Sequence, residues 1–283
     1  MKIIGHSIAW LVTAITCVFG ATSTAHAESH PSIASINVCT DQLLLTLADP
    51  AQIVGVSPFS GETDRSWAAE QASRFRRLSG EAEDLLMLKP DIVVATRFMK
   101  RATRELLKGK GQRLVEFDFA TSIDDVKAEI RQMGAIVGHP DRAAAQIARI
   151  NEALARAKAA ASRKHYRVLA IERRGWVTGE ISLTSSLLAA TGLTNAANEM
   201  GLKAGGFASL ETVISLKPDL LLVTSSSAFA EDQGEALLLH PALERLYPLQ
   251  RRLVLPERLT VCGGPMLVEA LDQLTAEIER VSR

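Results

Sequence analysis

The sequence predicts an α/β fold with two similar lobes, each built on a mainly parallel sheet, joined by one long α-helix. Three observations support this prediction. A helix–Lys-Pro-Asp–strand segment occurs twice, a long helical stretch lies between the copies, and strand-like and helix-like runs alternate on both sides of it. Two copies so far apart indicate two lobes, because a solenoid needs a short period and at least three repeats.

The repeated segment reads EDLLMLKPDIVVAT at residues 83–96 and ETVISLKPDLLLVT at residues 211–224. In each copy we expect a short apolar helix that ends before the proline, because the residue preceding proline is disfavoured in the α region. The aspartate suits a turn, and the apolar run after it is typical of a buried parallel strand.

The rest of the first lobe continues the alternation of strands and helices. Thr40 or Asp41 is expected to cap the first helix, whose apolar face contains leucines. Further strands are predicted at residues 33–38, 53–57 and 113–117, and further helices at 102–108 and 124–137.

Pro140 opens the longest helical stretch, since proline suits the first turn of a helix. About 23 residues at about 1.5 Å each span roughly 35 Å, enough to cross between lobes. An ordinary helix covering one sheet is the alternative, but the position between the repeat copies favours a connector. The predicted organisation is a leader at 1–27, an N-terminal lobe at 28–138, the connecting helix at 139–164 and a C-terminal lobe at 165–283.

The second lobe is predicted to repeat the plan of the first. Ser185 or Ser186 is expected to cap a helix that follows the first strand of this lobe. Strands are predicted at 167–171 and 252–255, helices at 237–246 and 266–281, and polar loops at 172–176 and 260–265.

Residues 1–27 read as a secretory signal peptide. Lys2 gives a positive start, residues 8–19 form an apolar run too short to favour a membrane span, and Ala25-His26-Ala27 offers a cleavage site. Cys17 as a lipoprotein cysteine is the alternative. The formal net charge is +0, with 23% charged residues, so nothing indicates nucleic-acid binding.

Two cysteines follow the leader, Cys39 and Cys262, one in each predicted lobe. In an exported protein such a pair can form a disulfide, which would restrain any opening. Two small thiols, buried or at the edge of a cleft, are the alternative. A redox or metal role is the third interpretation.

The sequence contains no GxGxxG after a predicted strand, no GxxxxGK(S/T) loop, no HExxH and no GxSxG motif. The histidines after the leader are scattered, outside the predicted strand-end loops, and have no metal-ligand spacing, so we expect surface or capping positions and no metal site. This pattern favours binding over catalysis.

Ligands of open α/β sheets bind outside the carboxyl ends of the strands, so we expect the ligand in the cleft between the lobes. The loops at these ends combine aromatic, hydroxyl and arginine residues, which suit a large ligand with apolar faces and anionic or carbonyl edges. The predicted contacts are Phe59, Arg97, Phe98, Arg173, Arg174, Trp176, Phe207, Thr224, Ser225, Thr260, Val261, Cys262, Gly263 and Gly264.

Nearly all of the chain after the leader resembles the periplasmic substrate-binding proteins of the cobalamin and iron-siderophore class. The resemblance rests on SINVCTDQLLLTLADPAQIVGVS at residues 35–57, the two Lys-Pro-Asp segments, the long central helix and CGGPM at 262–266. It implies a periplasmic receptor of an ABC importer that acts as a monomer and holds its ligand between two rather rigid lobes.

 

The same resemblance implies a role for two acidic residues and a class of ligand. Glu83 and Glu211 match the glutamates that, in this class, dock onto arginines of the inner-membrane permease; simple helix capping is the alternative. The ligand is expected to be a chelated metal compound, a ferric siderophore or cobalamin, with no cofactor held by the protein. Phe59 and the loop 260–264 match ligand contacts of the cobalamin-binding member.

Departures from the class bear on the ligand. The cobalamin-binding member has a tyrosine where this sequence has Phe59, and a loop that contains tryptophan where this sequence has TVCGG at residues 260–264. Heme-binding relatives hold the iron with a tyrosine or histidine, and here Tyr166 and Tyr247 lie outside the predicted cleft loops, so heme is disfavoured. Arg97, Arg173 and Arg174 favour an anionic ferric siderophore over a corrinoid. Two other functions stay open, a ligand sensor without transport and a chelatase-like enzyme on a similar fold.

Overall fold

The computed structural model describes residues 30–161, 165–225 and 236–282, which form the two-lobed α/β fold that the sequence predicts. The predicted leader at 1–27 and the predicted end of the long helix at 162–164 lie outside these residues. Within them, each lobe contains a four-stranded parallel sheet. None of the helices described combines the length and hydrophobicity needed to cross a bilayer.

The first sheet has the strand order β2-β1-β3-β4, and every neighbouring pair is parallel. The two central strands, β1 and β3, are fully buried, as expected when helices cover a parallel sheet, whereas the edge strand β4 is mostly half-buried. The elements of this lobe are β1 (Ile33–Ser35), α1 (Val38–Leu47), β2 (Ile53–Gly55), α2 (Ala69–Ala72), α3 (Ala82–Leu88), β3 (Ile92–Thr96), α4 (Arg101–Gly109), β4 (Leu114–Phe117) and α5 (Ile123–Val137).

The second sheet has the order β10-β9-β5-β7, and a separate antiparallel ribbon pairs β6 with β8. The long helix α6 (Pro140–Ala161) precedes this lobe. The elements that follow it are β5 (Arg167–Ala170), β6 (Trp176–Thr178), α7 (Leu183–Ala190), β7 (Thr194–Asn195), β8 (Gly205–Phe207), α8 (Leu210–Leu216), β9 (Leu220–Val223), α9 (Pro241–Leu246), β10 (Arg252–Val254) and α10 (Leu267–Ser282).

The two Lys-Pro-Asp segments fold alike. Helices α3 and α8 stop before the proline, and Lys89 and Lys217 take the left-handed conformation (φ 48° and 49°) that closes many helix C-termini. Asp91 and Asp219 then accept hydrogen bonds from the backbone N–H groups of Ser32 and Arg167, both at 2.8 Å. Each aspartate thereby ties its own strand to the start of the neighbouring strand.

Helix α6 joins the lobes by packing on α5 from the first and on α10 from the second. Its stripe of Ile147, Ile150, Ala153 and Ala157 is buried. The largest apolar core extends from β1 and α1 through α6 to Leu183, Leu187, Leu267 and Leu271, so both lobes share it. The domain boundaries given above remain a prediction, and the shared core agrees with a connecting helix.

Several element ends differ from the prediction for local reasons. The first strand ends at Ser35, because Asn37 accepts a hydrogen bond from the backbone N–H of Cys39 and starts α1 earlier than Thr40 or Asp41 would. Ser182 caps α7 in place of the predicted Ser185 or Ser186. Helix α9 begins at Pro241, capped by His240, instead of at residue 237.

Candidate ligand-binding site

Exposed aromatic rings gather at the carboxyl ends of the first sheet. A recess of about 300 Å³ there is lined by Asn37, Phe59, Phe98 and Phe119, among others. The three phenylalanines are 45%, 66% and 50% exposed, and the rings of Phe98 and Phe119 lie 4.9 Å apart. Because large apolar side chains clustered in solvent typically mark a binding surface, this recess is the first half of the candidate site.

A second recess of about 530 Å³ adjoins the first and is acidic. It shares Phe98 and Phe119, and it adds Asp118, Asp125 and Glu129. Burial, with the nearby carboxylates of Asp125 and Asp118, raises the pKa of Glu129 to about 8. Glu129 is therefore largely protonated at neutral pH, so it can donate a hydrogen bond to a carbonyl or amide group.

Arg97 lines the second recess but is not a free cation. Its guanidinium forms an ion pair with the carboxylate of Asp118, and its backbone N–H donates to the carbonyl oxygen of Phe117 at 3.0 Å. The carboxylate of Asp118 offsets the positive charge of Arg97, which was expected to attract an anionic ligand.

The loop that carries Phe59 is held from beneath by a buried carboxylate. Asp41, in the first turn of α1, is fully buried and accepts hydrogen bonds from the backbone N–H and the hydroxyl of Ser57. Burial is the main reason that the pKa of Asp41 is raised to about 7. Asp41 thus positions the chain two residues before Phe59.

The second lobe presents the matching edge of its sheet. A narrow recess at the carboxyl ends of β5, β9 and β10 is lined by Glu172, Thr184, Thr224 and Thr260, among others. Glu172 accepts a hydrogen bond from the hydroxyl of Thr178 at 3.1 Å. Two of the predicted contacts, Thr224 and Thr260, therefore share one recess.

The antiparallel ribbon supplies the aromatic rings of this lobe. Trp176 and Phe207 are paired across β6 and β8, and their rings meet edge to face at 5.1 Å. Phe207 is 70% exposed, and Gly205 lies so close to the indole that a Cβ there would be 2.7 Å from its Cζ2 atom. The ribbon therefore holds the exposed ring of Phe207 in fixed geometry against the half-buried indole of Trp176.

The remaining predicted contacts of this lobe lie on exposed turns. Arg173 and Arg174 are exposed in the turn between β5 and β6, where Arg174 takes a left-handed conformation (φ 59°). Ser225 is exposed directly after Thr224. The structure places all three near the strand ends, as predicted, and their contact with a ligand remains a prediction.

A disulfide joins the two halves of the site. Cys39 and Cys262 are bonded, with their Cα atoms 5.2 Å apart, so the interpretation as two free thiols is wrong. Asn37, which lines the first recess, precedes Cys39 by two residues, and Thr260, which lines the narrow recess, precedes Cys262 by two. The bond therefore brings the two sides of the cleft together at its floor.

Only part of the loop that contains Cys262 is exposed and able to contact a ligand. Cys262 is 1% exposed and packs in the core, so its predicted role as a ligand contact is wrong, whereas Val261 is 37% exposed. Gly264 is buried, and a Cβ at Gly263 would lie 2.6 Å from the Cβ of Ala120 in the other lobe. Gly263 thus permits close packing between the lobes.

Glu83 and Glu211 occupy equivalent positions, the second residues of α3 and α8, and both are exposed. Each helix precedes a parallel strand and runs opposite to it, so its start lies at the cleft edge of the sheet. Hydrogen bonds from its own backbone N–H and from Ser209 lower the pKa of Glu211. Each lobe thus presents one exposed carboxylate at the cleft edge of its own sheet.

Several residues of the site were not predicted. Phe119 escaped notice because a polar loop surrounds it in the sequence, and Glu129 because nothing in a helix pattern shows which carboxylate will be buried. The histidines were expected to be scattered, but His30 and His139 lie together beside Asp49 at the other edge of the first sheet. His240 caps α9, as the expectation of capping positions allows.

Comparison with known proteins places this geometry among binding proteins. Residues 33–252 match the family model described as periplasmic binding protein. A cobalamin-binding protein of Halobacterium salinarum is 25% identical over 224 residues, which cover 76% of this chain and 59% of that protein. The chain thus matches about three fifths of the length of this curated relative.

Solved structures show the same fold. The periplasmic heme-binding protein RhuT of Roseiflexus sp. RS-1, in apo form, has 25% identity and a TM-score of 0.72 over 90% of this chain and 100% of its own. The periplasmic vitamin B12 binding protein BtuF of Vibrio cholerae has 16% identity and a TM-score of 0.69 over 90% of this chain and 98% of its own.

Proposed function

The chain belongs to the periplasmic binding protein family, and on that premise we propose that it is the monomeric solute-binding component of an ABC importer. It binds a metal compound that arrives already chelated and delivers it to a permease in the inner membrane. The signal peptide at residues 1–27 directs it to the periplasm, where a disulfide is stable. The aromatic cleft and the binding roles of the similar proteins support this proposal over a chelatase-like enzyme.

Within this class we propose a corrinoid as the ligand. The observation that carries the choice is the set of exposed rings at both edges of the cleft, without a histidine or tyrosine among the described residues that line the recesses. Residues 226–235, outside the described ranges, contain neither residue type. Heme iron is usually held by such an axial ligand, whereas a corrinoid can bring both axial ligands of its cobalt with it.

The charges of the cleft support the same choice. Because Asp118 pairs with Arg97, the first lobe presents no unpaired arginine among the described residues of its two recesses, and Asp125 and Glu129 add acidic groups. A trianionic ferric siderophore would meet carboxylates there. The amide-bearing edge of a corrinoid suits a protonated Glu129 and the threonines of the second lobe.

The test is a fluorescence titration of the protein purified from the periplasm, with cobalamin, heme and a ferric siderophore panel as separate titrants. We expect saturable quenching of Trp176 by cobalamin, and the variant Trp176→Phe serves to assign the signal. Phe98→Ala and Phe119→Ala should each weaken cobalamin binding by about tenfold or more, since aromatic contacts contribute on the order of 1–3 kcal/mol.

Leu249→Ala is the matched control, because Leu249 is 53% exposed and lies outside the candidate site. This variant should bind as the unaltered protein does. Saturable binding of heme or a siderophore, without binding of cobalamin, would refute the corrinoid and keep the importer. Binding of none of them would refute the class of ligand.

Delivery to a permease is tested separately from binding. The double variant Glu83→Arg/Glu211→Arg should abolish uptake of the ligand by cells and leave its affinity within about twofold, because like charges would then face the permease arginines. Glu70→Arg/Glu152→Arg is the control, since both residues are exposed and neither is in the repeat. Uptake that survives the first reversal would refute the docking role of Glu83 and Glu211.

A further inference from the structure

Three potential metal ligands meet at the edge of the first lobe opposite the cleft. His30 precedes β1, Asp49 follows α1 and precedes β2, and His139 begins the corner between α5 and α6. One ligand atom from each lies within 4.8 Å of the other two. All three come from connections at the amino ends of the strands, so the cluster is separate from the candidate ligand-binding site.

The contacts inside the cluster leave one ring without a polar partner. His139 Nε2 lies 3.0 Å from Asp49 Oδ2, and the rings of His30 and His139 have centroids 4.8 Å apart. An ordinary hydrogen bond accounts for His139 and Asp49. It does not account for His30, whose ring nitrogens make no hydrogen bond within the described part of the chain, although the ring lies against the pair.

The backbone around the cluster is held in place before any ion binds. The buried side chain of Gln52 donates to the carbonyl oxygens of Pro31 and Val137, at 3.4 Å and 3.1 Å, which fixes the chain beside His30 and His139. Gly138 has a φ of 78°, and a Cβ there would lie 2.6 Å from Nδ1 of His30. Glycine therefore leaves the space that the His30 ring occupies.

The carboxylate oxygen of Asp49 that faces away from His139, Oδ1, accepts a hydrogen bond from an arginine. Arg142 donates to Asp49 Oδ1 at 2.6 Å and to the carbonyl oxygen of Leu47 at 3.0 Å. Hydrogen bonds of this kind orient a carboxylate ligand and leave its other oxygen directed at the ion. The arginine weakens the negative charge of the site, so two neutral imidazoles must provide much of the affinity.

We propose that His30, Asp49 and His139 bind one divalent transition-metal ion, with Zn²⁺ as the best match. Two imidazoles and one carboxylate with an open fourth position form a well-known donor set for Zn²⁺. Ligand atoms around a tetrahedral Zn²⁺ are about 3.3 Å apart, so binding draws the side chain of His30 inward by on the order of 1 Å. The ion would fasten the chain before β1 to the start of α6.

Calorimetric titration with ZnCl₂ tests the site, using untagged protein purified from the periplasm and stripped with a chelator. We expect one Zn²⁺ per chain, an affinity at least tenfold weaker in His30→Gln and in His139→Gln, and a rise in the melting temperature with Zn²⁺ that both variants lose. His165→Gln, an exposed histidine outside the cluster, is the matched control and should bind as the unaltered protein does.

His30→Gln decides the matter if His139→Gln is poorly folded, because His30 lies outside the helices and strands. Equal Zn²⁺ affinity in His30→Gln and in the unaltered protein would overturn the proposal, as would the absence of Zn²⁺ binding. Binding that needs His30 but survives His139→Gln would also overturn it, since the ion would then be held by the chain around His30 alone. Cobalamin titration with and without Zn²⁺ should give the same affinity.

Discussion

Reduction of the disulfide between Cys39 and Cys262 should lower the free energy of unfolding by about 5 kcal/mol. The two cysteines are 223 residues apart in the sequence, and the chain-entropy model assigns about 5 kcal/mol at 25 °C to a closed loop of this length. For chains of this size each kcal/mol moves the melting temperature by about 2–4 °C. The midpoint of thermal unfolding should therefore fall by about 10–20 °C.

The assay is urea unfolding followed by circular dichroism, with and without a phosphine reductant, with the free thiols counted under each condition. Cys17 belongs to the predicted leader, so reduction of the mature protein acts on this bond alone. The double variant Cys39→Ala/Cys262→Ala is the control, and its unfolding should be insensitive to the reductant.

The comparison separates the covalent constraint from packing. Cys262 is 1% exposed, so its replacement costs packing energy that the double variant shows in both conditions. If the unaltered protein has two free thiols in reductant and yet unfolds at the same urea concentration, the denatured chain is not constrained by the bond as the model requires. The assigned magnitude would then be refuted.

Three further predictions concern stability. The pKa of Asp41 is raised to about 7 from 3.8, so between these pH values the folded state holds a proton that the unfolded state has released. The free energy of unfolding should therefore fall as pH rises from about 4 to 7. Urea titrations at several pH values should show this slope, and Asp41→Asn should flatten it. Ile150→Ala should cost about 2–5 kcal/mol because Ile150 is fully buried in the core that the lobes share, whereas the exposed Glu152→Ala should stay within about 0.5 kcal/mol. Gly175→Ala should cost about 1–3 kcal/mol, because φ is 75° and the new Cβ would lie 2.5 Å from the carbonyl oxygen of Ala208; equal stability would contradict the tight turn.

The repeat predicted most of the fold because its residues act locally. The proline fixes where each helix stops, and the aspartate and apolar run after it specify a turn and a buried strand, so both lobes follow from short segments. The pairing of β6 with β8 was missed because the strands are separated by α7 and β7. Nothing in either segment shows that the two will meet.

The site was predictable where a topological rule applies and unpredictable where packing decides. Phe59, Phe98 and Thr224 lie at strand ends, and the rule for open α/β sheets places such residues at a cleft. The burial of Cys262, the ion pair of Arg97 and the protonation of Glu129 depend on which distant residues surround each side chain. Such surroundings are not visible in a single sequence.

The shared core has a consequence for the order in which the molecule can be assembled. Leu267 and Leu271 of α10 complete the apolar cluster around β1 and α1, yet they lie among the last residues of the chain. During synthesis the N-terminal half emerges first, before the residues that complete its apolar core have been made. The shared core can therefore close only after the last helix has been made.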